Sequence, residues 1–290
     1  MEYENANEGE NGSTEQISAP IPTHSLPCIS STTPIPLSIS IPIHKLEKQW
    51  KICLQNVNGL MTENATKGLN AIKDYVKEEK VVILNLVETW LNELIKETAN
   101  IDNYKIFRTD RKEEIKGGVA IYLYDRLEAK QICKLSHKKC EILAIYITEL
   151  QTINVVIYRL PKTENKDYDK ILNELEKNFQ NMKKPEPTVL ISGDFNFPFV
   201  IWKKMRSGGC SWNIKPKSNA TQDENMQFQR LNNICEEQNM VQIIEEPTRE
   251  KNTLDLMYTN EIKIVTNIDV NKSAISDHSR VEISTTYIIK

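Results

Sequence analysis

Thr188-Val-Leu-Ile-Ser-Gly-Asp-Phe-Asn-Phe-Pro198 is the stretch that decides how the rest of this chain is read. Val189, Leu190 and Ile191 form an unbroken apolar run, the pattern of a strand buried on both faces. Gly193 interrupts it, Asp194 and Asn196 follow one residue apart, and Pro198 forbids further ladder pairing. In an extended chain, positions two apart point the same way, so a carboxylate and an amide would emerge on one face. A strand end closed by an Asx-turn is the other reading of the same residues.

The same arrangement, an apolar strand carrying or ending in polar groups, recurs on both sides. Upstream, 51–56 closes on Asn56, Asn58 and Gly59, and 81–87 ends in Glu88-Thr-Trp-Leu. The run 153–158 ends in Tyr158-Arg159-Leu-Pro161. Downstream, Asp255 is flanked by Leu254 and Leu256, a costly place for a charge without a partner. Ser276-Asp277-His278 precedes the last strand, 281–287. Further strands are expected after Gly117-Gly118 and over 140–147. Helical spacing of apolar residues predicts helices over 67–79, 167–182 and 227–238. Together these strand ends supply carboxylates for a hard divalent cation, a base, and neutral donors for developing charge. Of the four histidines only His278 adjoins a carboxylate in such a setting, with Asp255 as its orienting partner. The segment after Pro198 mixes Lys203, Lys204, Arg206 and Lys215 with Trp202 and Trp212, cations and rings of the kind a nucleic-acid surface uses. A solvated loop with its tryptophans turned inward is the alternative.

Composition sets the bounds. The chain has 290 residues with a hydrophobic share of 39%, and the apolar deficit is concentrated at the N-terminus. Residues 1–47 are rich in Ser, Thr and Pro, cannot bury enough side chain to offset their ordering entropy, and are expected to be a disordered tail. A single folded domain is expected over 48–290. No segment approaches a membrane span or a secretory signal. Residues 1–48 hold −4 of the formal net charge of −3, leaving the remainder at +1, without the basic excess usual in nucleic-acid binders. The six cysteines show no Cys-x-x-Cys pair and suit reduced thiols in an intracellular protein. Cys133, His137 and Cys140 have a knuckle-like spacing but no fourth zinc ligand nearby.

Asn56-Val-Asn58-Gly, Glu88-Thr-Trp, Gly117-Gly-Val-Ala-Ile-Tyr, Ile157-Tyr158-Arg159, Gly193-Asp194-Phe-Asn196 and Ser276-Asp277-His278, in that order, resemble the endonuclease/exonuclease/phosphatase superfamily. The Glu88-Thr-Trp-Leu run, with Pro247-Thr-Arg and Leu254-Asp255-Leu-Met-Tyr, is similar to the endonuclease domains of non-LTR retrotransposons of the chicken-repeat and jockey kind. The resemblance implies a four-layer α/β sandwich, two packed mixed sheets flanked by helices. It implies Glu88 and Asp277 at a Mg²⁺ or Mn²⁺ site, and Asp194 as the base for water, aided by Asn196. His278, oriented by Asp255, would bind the scissile phosphate, with Asn56 and Tyr158 donating hydrogen bonds to it. Thr248, Arg159, Lys203, Lys204 and Arg206 are the expected substrate contacts. Asn58 stands where abasic-site endonucleases usually carry Asp, which argues against strong abasic-site activity. The implied activity is nicking of double-stranded DNA by a monomer in the nucleus, beside a reverse transcriptase of the same element and away from membranes. A phosphoesterase for a non-nucleic-acid ester and an inactive binding remnant are the alternatives.

Overall fold

The computed structural model describes residues 49–60, 65–92, 99–112, 116–182, 186–216 and 218–286. The expected tail, 1–47, lies outside them. In chain order the first elements are β1 (Trp50–Asn56), α1 (Ala65–Glu78), β2 (Val81–Val87), β3 (Tyr104–Thr109), β4 (Val119–Tyr124) and β5 (Ala129–His137). There follow β6 (Cys140–Ile147), β7 (Thr152–Arg159), α2 (Asn165–Gln180), β8 (Thr188–Asp194), β9 (Val200–Lys204) and β10 (Cys210–Ile214). Last come α3 (Gln222–Glu237), β11 (Val241–Gln242), β12 (Asp255–Thr259), β13 (Val265–Asn271) and β14 (Arg280–Thr285).

Two six-stranded sheets result, ordered β13-β14-β1-β2-β4-β3 and β11-β12-β8-β7-β6-β5. Each contains one parallel pair, β1 with β2 and β7 with β8, and each pair is joined by a crossover helix, α1 or α2. The remaining sheet pairings are antiparallel, so both sheets are mixed.

Alternation along the strands divides the apolar residues among three cores. Ile52, Leu54, Ile83 and Ile121 from the first sheet meet Leu143, Val156, Leu190 and Met257 from the second, filling the space between the sheets. On the outer face of the first sheet, Leu69, Ile72 and Val76 of α1 pack on Cys53, Leu84 and Tyr122. On the outer face of the second, Ile171 and Leu175 of α2 and Phe228 and Leu231 of α3 cover Val155, Val189 and Ile191. The four layers are therefore helix, sheet, sheet, helix, as the resemblance implies. The 188–198 stretch lies at the centre of this: Leu190 faces the inner core, and Val189 and Ile191 the outer one. Among the described residues no helix is long and apolar enough to cross a membrane.

The sequence reading and the structure differ at the edges. β3 and β13 were not expected, because both are half-exposed edge strands without a continuous apolar run. The segment after Pro198 is a β-hairpin, β9 with β10, not a loop. Val200, Trp202 and Cys210 turn inward on it, and Gly208 and Gly209 supply positive φ at its turn. The third helix begins earlier than expected, at a capping box in which the Thr221 hydroxyl accepts from Glu224 N and the Glu224 carboxylate accepts from Thr221 N.

Candidate active site

Register brings the polar strand ends together. In the antiparallel β8–β12 ladder Asp255 lies directly opposite Asp194, and in the parallel β7–β8 ladder Tyr158 lies beside Asp194. Gly193 is required for that approach: a Cβ there would fall 1.8 Å from the Ile157 carbonyl oxygen. In the first sheet Asn56 pairs with Val87, so Glu88 begins one residue past the strand end.

The Asn56 amide joins the two sheets. Its Nδ2 donates to Glu88 Oε1 at 3.0 Å and to Asp194 Oδ2 at 2.9 Å, while its Oδ1 accepts from Asn58 N at 3.0 Å, which fixes the amide's orientation. Asp194 Oδ1 accepts from Asn196 N at 3.0 Å. The Asx-turn reading is thus also correct, and Asn196, at φ 50°, has left the strand and its side chain donates to the Arg159 carbonyl. His278 Nδ1 donates to Asp255 Oδ2 at 2.7 Å, and its Nε2 faces Asp194 Oδ2 at 3.9 Å.

Asp194, Asp255, Asn56, Tyr158 and His278 are all buried. Burial, reinforced by the Asp255 charge, raises the Asp194 carboxyl well above the usual carboxylate range, against the pull of His278 and Asn56. Burial is the largest single effect on His278 and lowers its pKa. The Asp255 hydrogen bond and the Asp255 and Asp194 charges outweigh it and push the imidazole up to about 9, so it is a cation at neutral pH. Burial, then Glu88 and Asp194, raises the Tyr158 phenol, which keeps it a neutral donor. Asn58, Glu88, Trp90 and Asn196 all hold positive φ, a concentration of backbone strain at the strand ends.

The donor set suits a hard divalent cation. Asp194, Asp255 and His278 offer ligand atoms within 4.8 Å of one another, and Asp255 Oδ1 is buried without a hydrogen-bond partner. A protonated imidazole is a poor ligand, however, and it already balances Asp255. Among the described residues the hydrogen bonds to Glu88 come from neutral groups, Asn56, the Tyr158 hydroxyl and, at 3.4 Å, Trp90 Nε1, so it is the carboxylate with charge left to offer.

Other expected residues are placed differently. Asp277 is half-exposed and its carboxylate meets Arg249 at 2.6 Å. Arg159 is fully buried and cannot touch substrate: it donates to Gln227 Oε1 and to the carbonyls of Phe195 and Asn196, bracing the loop after Asp194. Thr248 is fully buried too; its hydroxyl accepts from Leu254 N and Asp255 N at 3.0 Å, so it positions Asp255 instead of meeting DNA. Lys203, Lys204 and Arg206 ride the hairpin away from the site. Its turn packs on Val241 and Ile262, and Val241 pairs with Thr259, four residues or about 14 Å along β12 from Asp255. Cys133 and Cys140 are buried, and His137 pairs with Asp167 instead of any cysteine.

Two buried groups near the site escaped the sequence reading. Arg111 makes a bidentate pair with Glu141, which lies opposite Tyr158, and its guanidinium stands 5.7 Å from the Tyr158 ring centroid. Asn85 of β2 and Asn154 of β7 exchange amide hydrogen bonds across the inner core, and Asn85 also donates to Ser192. The available signal was a polar residue inside an otherwise apolar strand.

The profile of a family described as "Endonuclease-reverse transcriptase" matches residues 152–282. The fold is that of the endonuclease domain of TRAS1, a telomere-specific non-LTR retrotransposon, at a TM-score of 0.55 and 13% identity, over 83% of this chain and 99% of that one. The fold is the one shared by solved endonuclease/exonuclease/phosphatase proteins, and residues 152–282 carry the family match within it. Two other solved proteins of similar fold are the AP endonuclease LMAP from Leishmania major and the 3'-5' exonuclease NExo from Neisseria meningitidis. The first has a TM-score of 0.59 at 12% identity over 83% of this chain and 89% of that one. The second has 0.56 at 13% over 82% and 100%. No curated protein matches in sequence. At such identities the structural likeness speaks for the fold alone, and the chemistry of this chain rests on its own residues.

Proposed function

We propose that this protein is an endonuclease/exonuclease/phosphatase-type, divalent-cation-dependent phosphodiesterase that nicks one strand of duplex DNA and leaves a 3′-hydroxyl. The observation that carries the reading is the single Asn56 amide bonded to both Glu88 and Asp194, faced by the His278–Asp255 pair. Hydrolysis of a phosphodiester needs an activated water, donors for the charge that grows on phosphate, and a proton for the leaving oxygen. Asp194 is the base, held at both oxygens by Asn56 and the Asn196 N–H. His278, cationic and locked by Asp255, donates from Nε2 to a phosphate oxygen. Tyr158 and Asn56 are the neutral donors. Glu88 would hold Mg²⁺ or Mn²⁺; Asp277 would join it only by giving up Arg249. Bound there, the cation supplies charge neutralisation on phosphate and on the leaving oxygen.

Arg249 and Lys215 take over the role first expected of the hairpin lysines. Arg249 is partly exposed beside Asp277, and Lys215 Nζ donates to Asn252 across the same turn. A nicked strand with a 3′-hydroxyl is what a reverse transcriptase of the same element would extend, and the nucleus is where both would act.

The test is supercoiled plasmid incubated with the protein and Mg²⁺ or Mn²⁺, with and without EDTA, followed by polymerase extension of the product. Open-circular, extendable product only without chelator is expected. Equal nicking in EDTA, or none with either metal, would overturn the reading.

A further inference from the structure

Trp90 is the second residue past Glu88, half-buried on the rim of the site. Its backbone is pinned: Trp90 N donates to the Gly117 carbonyl at 2.9 Å, and Gly59 N donates to the Glu88 carbonyl at 2.8 Å. A Cβ at Gly59 would lie 2.5 Å from Trp90 Cε3 and 2.9 Å from each of its ring neighbours, Cδ2 and Cζ3. Both neighbours lie only 2.9 Å from that point, as they do for a point straight above Cε3 and not for one in the ring plane, so the glycine backbone (φ +98°) seats one face of the indole. Over the ring, at 5.4 Å from its centroid, lies the ammonium of Lys116, an exposed residue with no ion pair among the described residues. An indole held this firmly, beside a carboxylate, is more than filler for a core: a core tryptophan would be covered by apolar side chains, as Trp202 is.

We infer that Trp90 and Lys116 form a subsite for the nucleotide flanking the scissile phosphate on the Glu88 side. This rests on the phosphodiesterase reading above and names how its substrate is held. An exposed lysine over an indole gains only about 0.5–1 kcal/mol. It can therefore leave the ring for a backbone phosphate at little cost, uncovering an aromatic surface for the sugar or base. The deoxyribose of a duplex strand is the same at every nucleotide, so a contact with it tolerates any sequence and holds the strand without reading it. Arg249 and Lys215 stand by Asp277 and the adjoining turn, at the histidine side of the site. The bound strand then runs from Lys116 past Asn56 and His278 to Arg249.

The experiment is equilibrium binding of a fluorescent 20-bp DNA duplex to the full chain in EDTA, over a salt series, with tryptophan emission read in parallel. Lys116→Gln should weaken binding at low salt and reduce the slope of log affinity against log salt by about one. Trp90→Leu should weaken binding about tenfold, whereas Trp90→Phe, which keeps an aromatic face, should retain most of the affinity. DNA-induced quenching of tryptophan emission should vanish in Trp90→Phe. Parent-like affinity and slope in both Lys116→Gln and Trp90→Leu would overturn the subsite, even with metal-dependent nicking intact. Quenching through Trp90 and the slope change in a chain that never nicks would uphold the subsite and sink the nuclease reading instead.

Discussion

Asp255 is a fully buried carboxylate between two leucines, and the residue that makes this tolerable is His278, 23 positions away. The pair has a consequence for stability. The imidazole pKa is near 6.5 when unfolded and about 9 in the folded protein. Because folding raises it, the stability it contributes is fully present below about pH 6.5 and is lost as pH rises through about 9. In EDTA, the thermal midpoint of the parent should fall between pH 7 and 9.5, and Asp255→Asn should flatten that fall. An identical pH profile in the two proteins would show that the pair does not titrate with folding. For turnover, His278→Ala and Asp194→Ala should each cost roughly a hundredfold or more in single-turnover nicking, as expected when a positioned acid–base group is lost. Glu88→Gln keeps the shape and removes the charge, so it should raise the Mg²⁺ concentration needed for half-maximal rate; an unchanged metal titration would remove Glu88 from the metal site.

Elements place these residues, and the turn before β12 is the one whose work is least visible in sequence. Thr248 accepts two backbone N–H groups with its hydroxyl, and its carbonyl accepts from Ser279 N, next to His278. One threonine thus ties the Asp255 strand to the His278 loop. Thr248→Val keeps the volume but leaves two buried N–H groups unpaired, at about 1–3 kcal/mol, measurable by urea unfolding. Thr248→Ser should restore the loss; equal destabilisation by Ser and Val would mean that packing, not the hydroxyl, is what counts. The hairpin makes the opposite case. Lys203, Lys204 and Arg206 look like a DNA surface in sequence, yet β9 and β10 carry them along the sheet edge away from the strand ends. Replacing all three with Gln should leave the nicking rate within about twofold of the parent at physiological salt. A drop of tenfold would bring the hairpin back into the binding surface.

At the scale of the molecule, the active site exists only because two sheets meet in one register. Asn85, Asn154 and Ser192 are completely buried and bond across the inner core, linking the strand that ends in Glu88 to those that end in Tyr158 and Asp194. Asn154→Leu strands the Asn85 amide in a dry core and should cost about 1–3 kcal/mol. Replacing both asparagines with leucine should recover much of that loss, because no polar group is then left unpaired. If the double variant is as unstable as the single one, the clasp is holding volume and not hydrogen bonds.

The sequence by itself determined the main strands, the helices and the polar strand ends, while the four layers were what the resemblance implied. Apolar runs such as 189–191 and 142–145, and the period of Ile171, Leu172 and Leu175, are local signals, and local signals survive without knowledge of the fold. Asp194, Glu88, Asn56 and His278 were legible for the same reason: each stands just outside an apolar run, where a charge or amide is conspicuous. Tertiary structure alone decided which polar residues reach solvent and which turn inward. Arg159 and Thr248 sit beside site residues in the chain, yet their side chains are enclosed because backbone carbonyls and N–H groups of other segments needed partners. The edge strands β3 and β13 were silent because an edge strand needs an apolar neighbour more than an apolar sequence. The bond from one Asn56 nitrogen to carboxylates 32 and 138 residues distant depends on the packing of one sheet against the other, and no spacing along the chain encodes it.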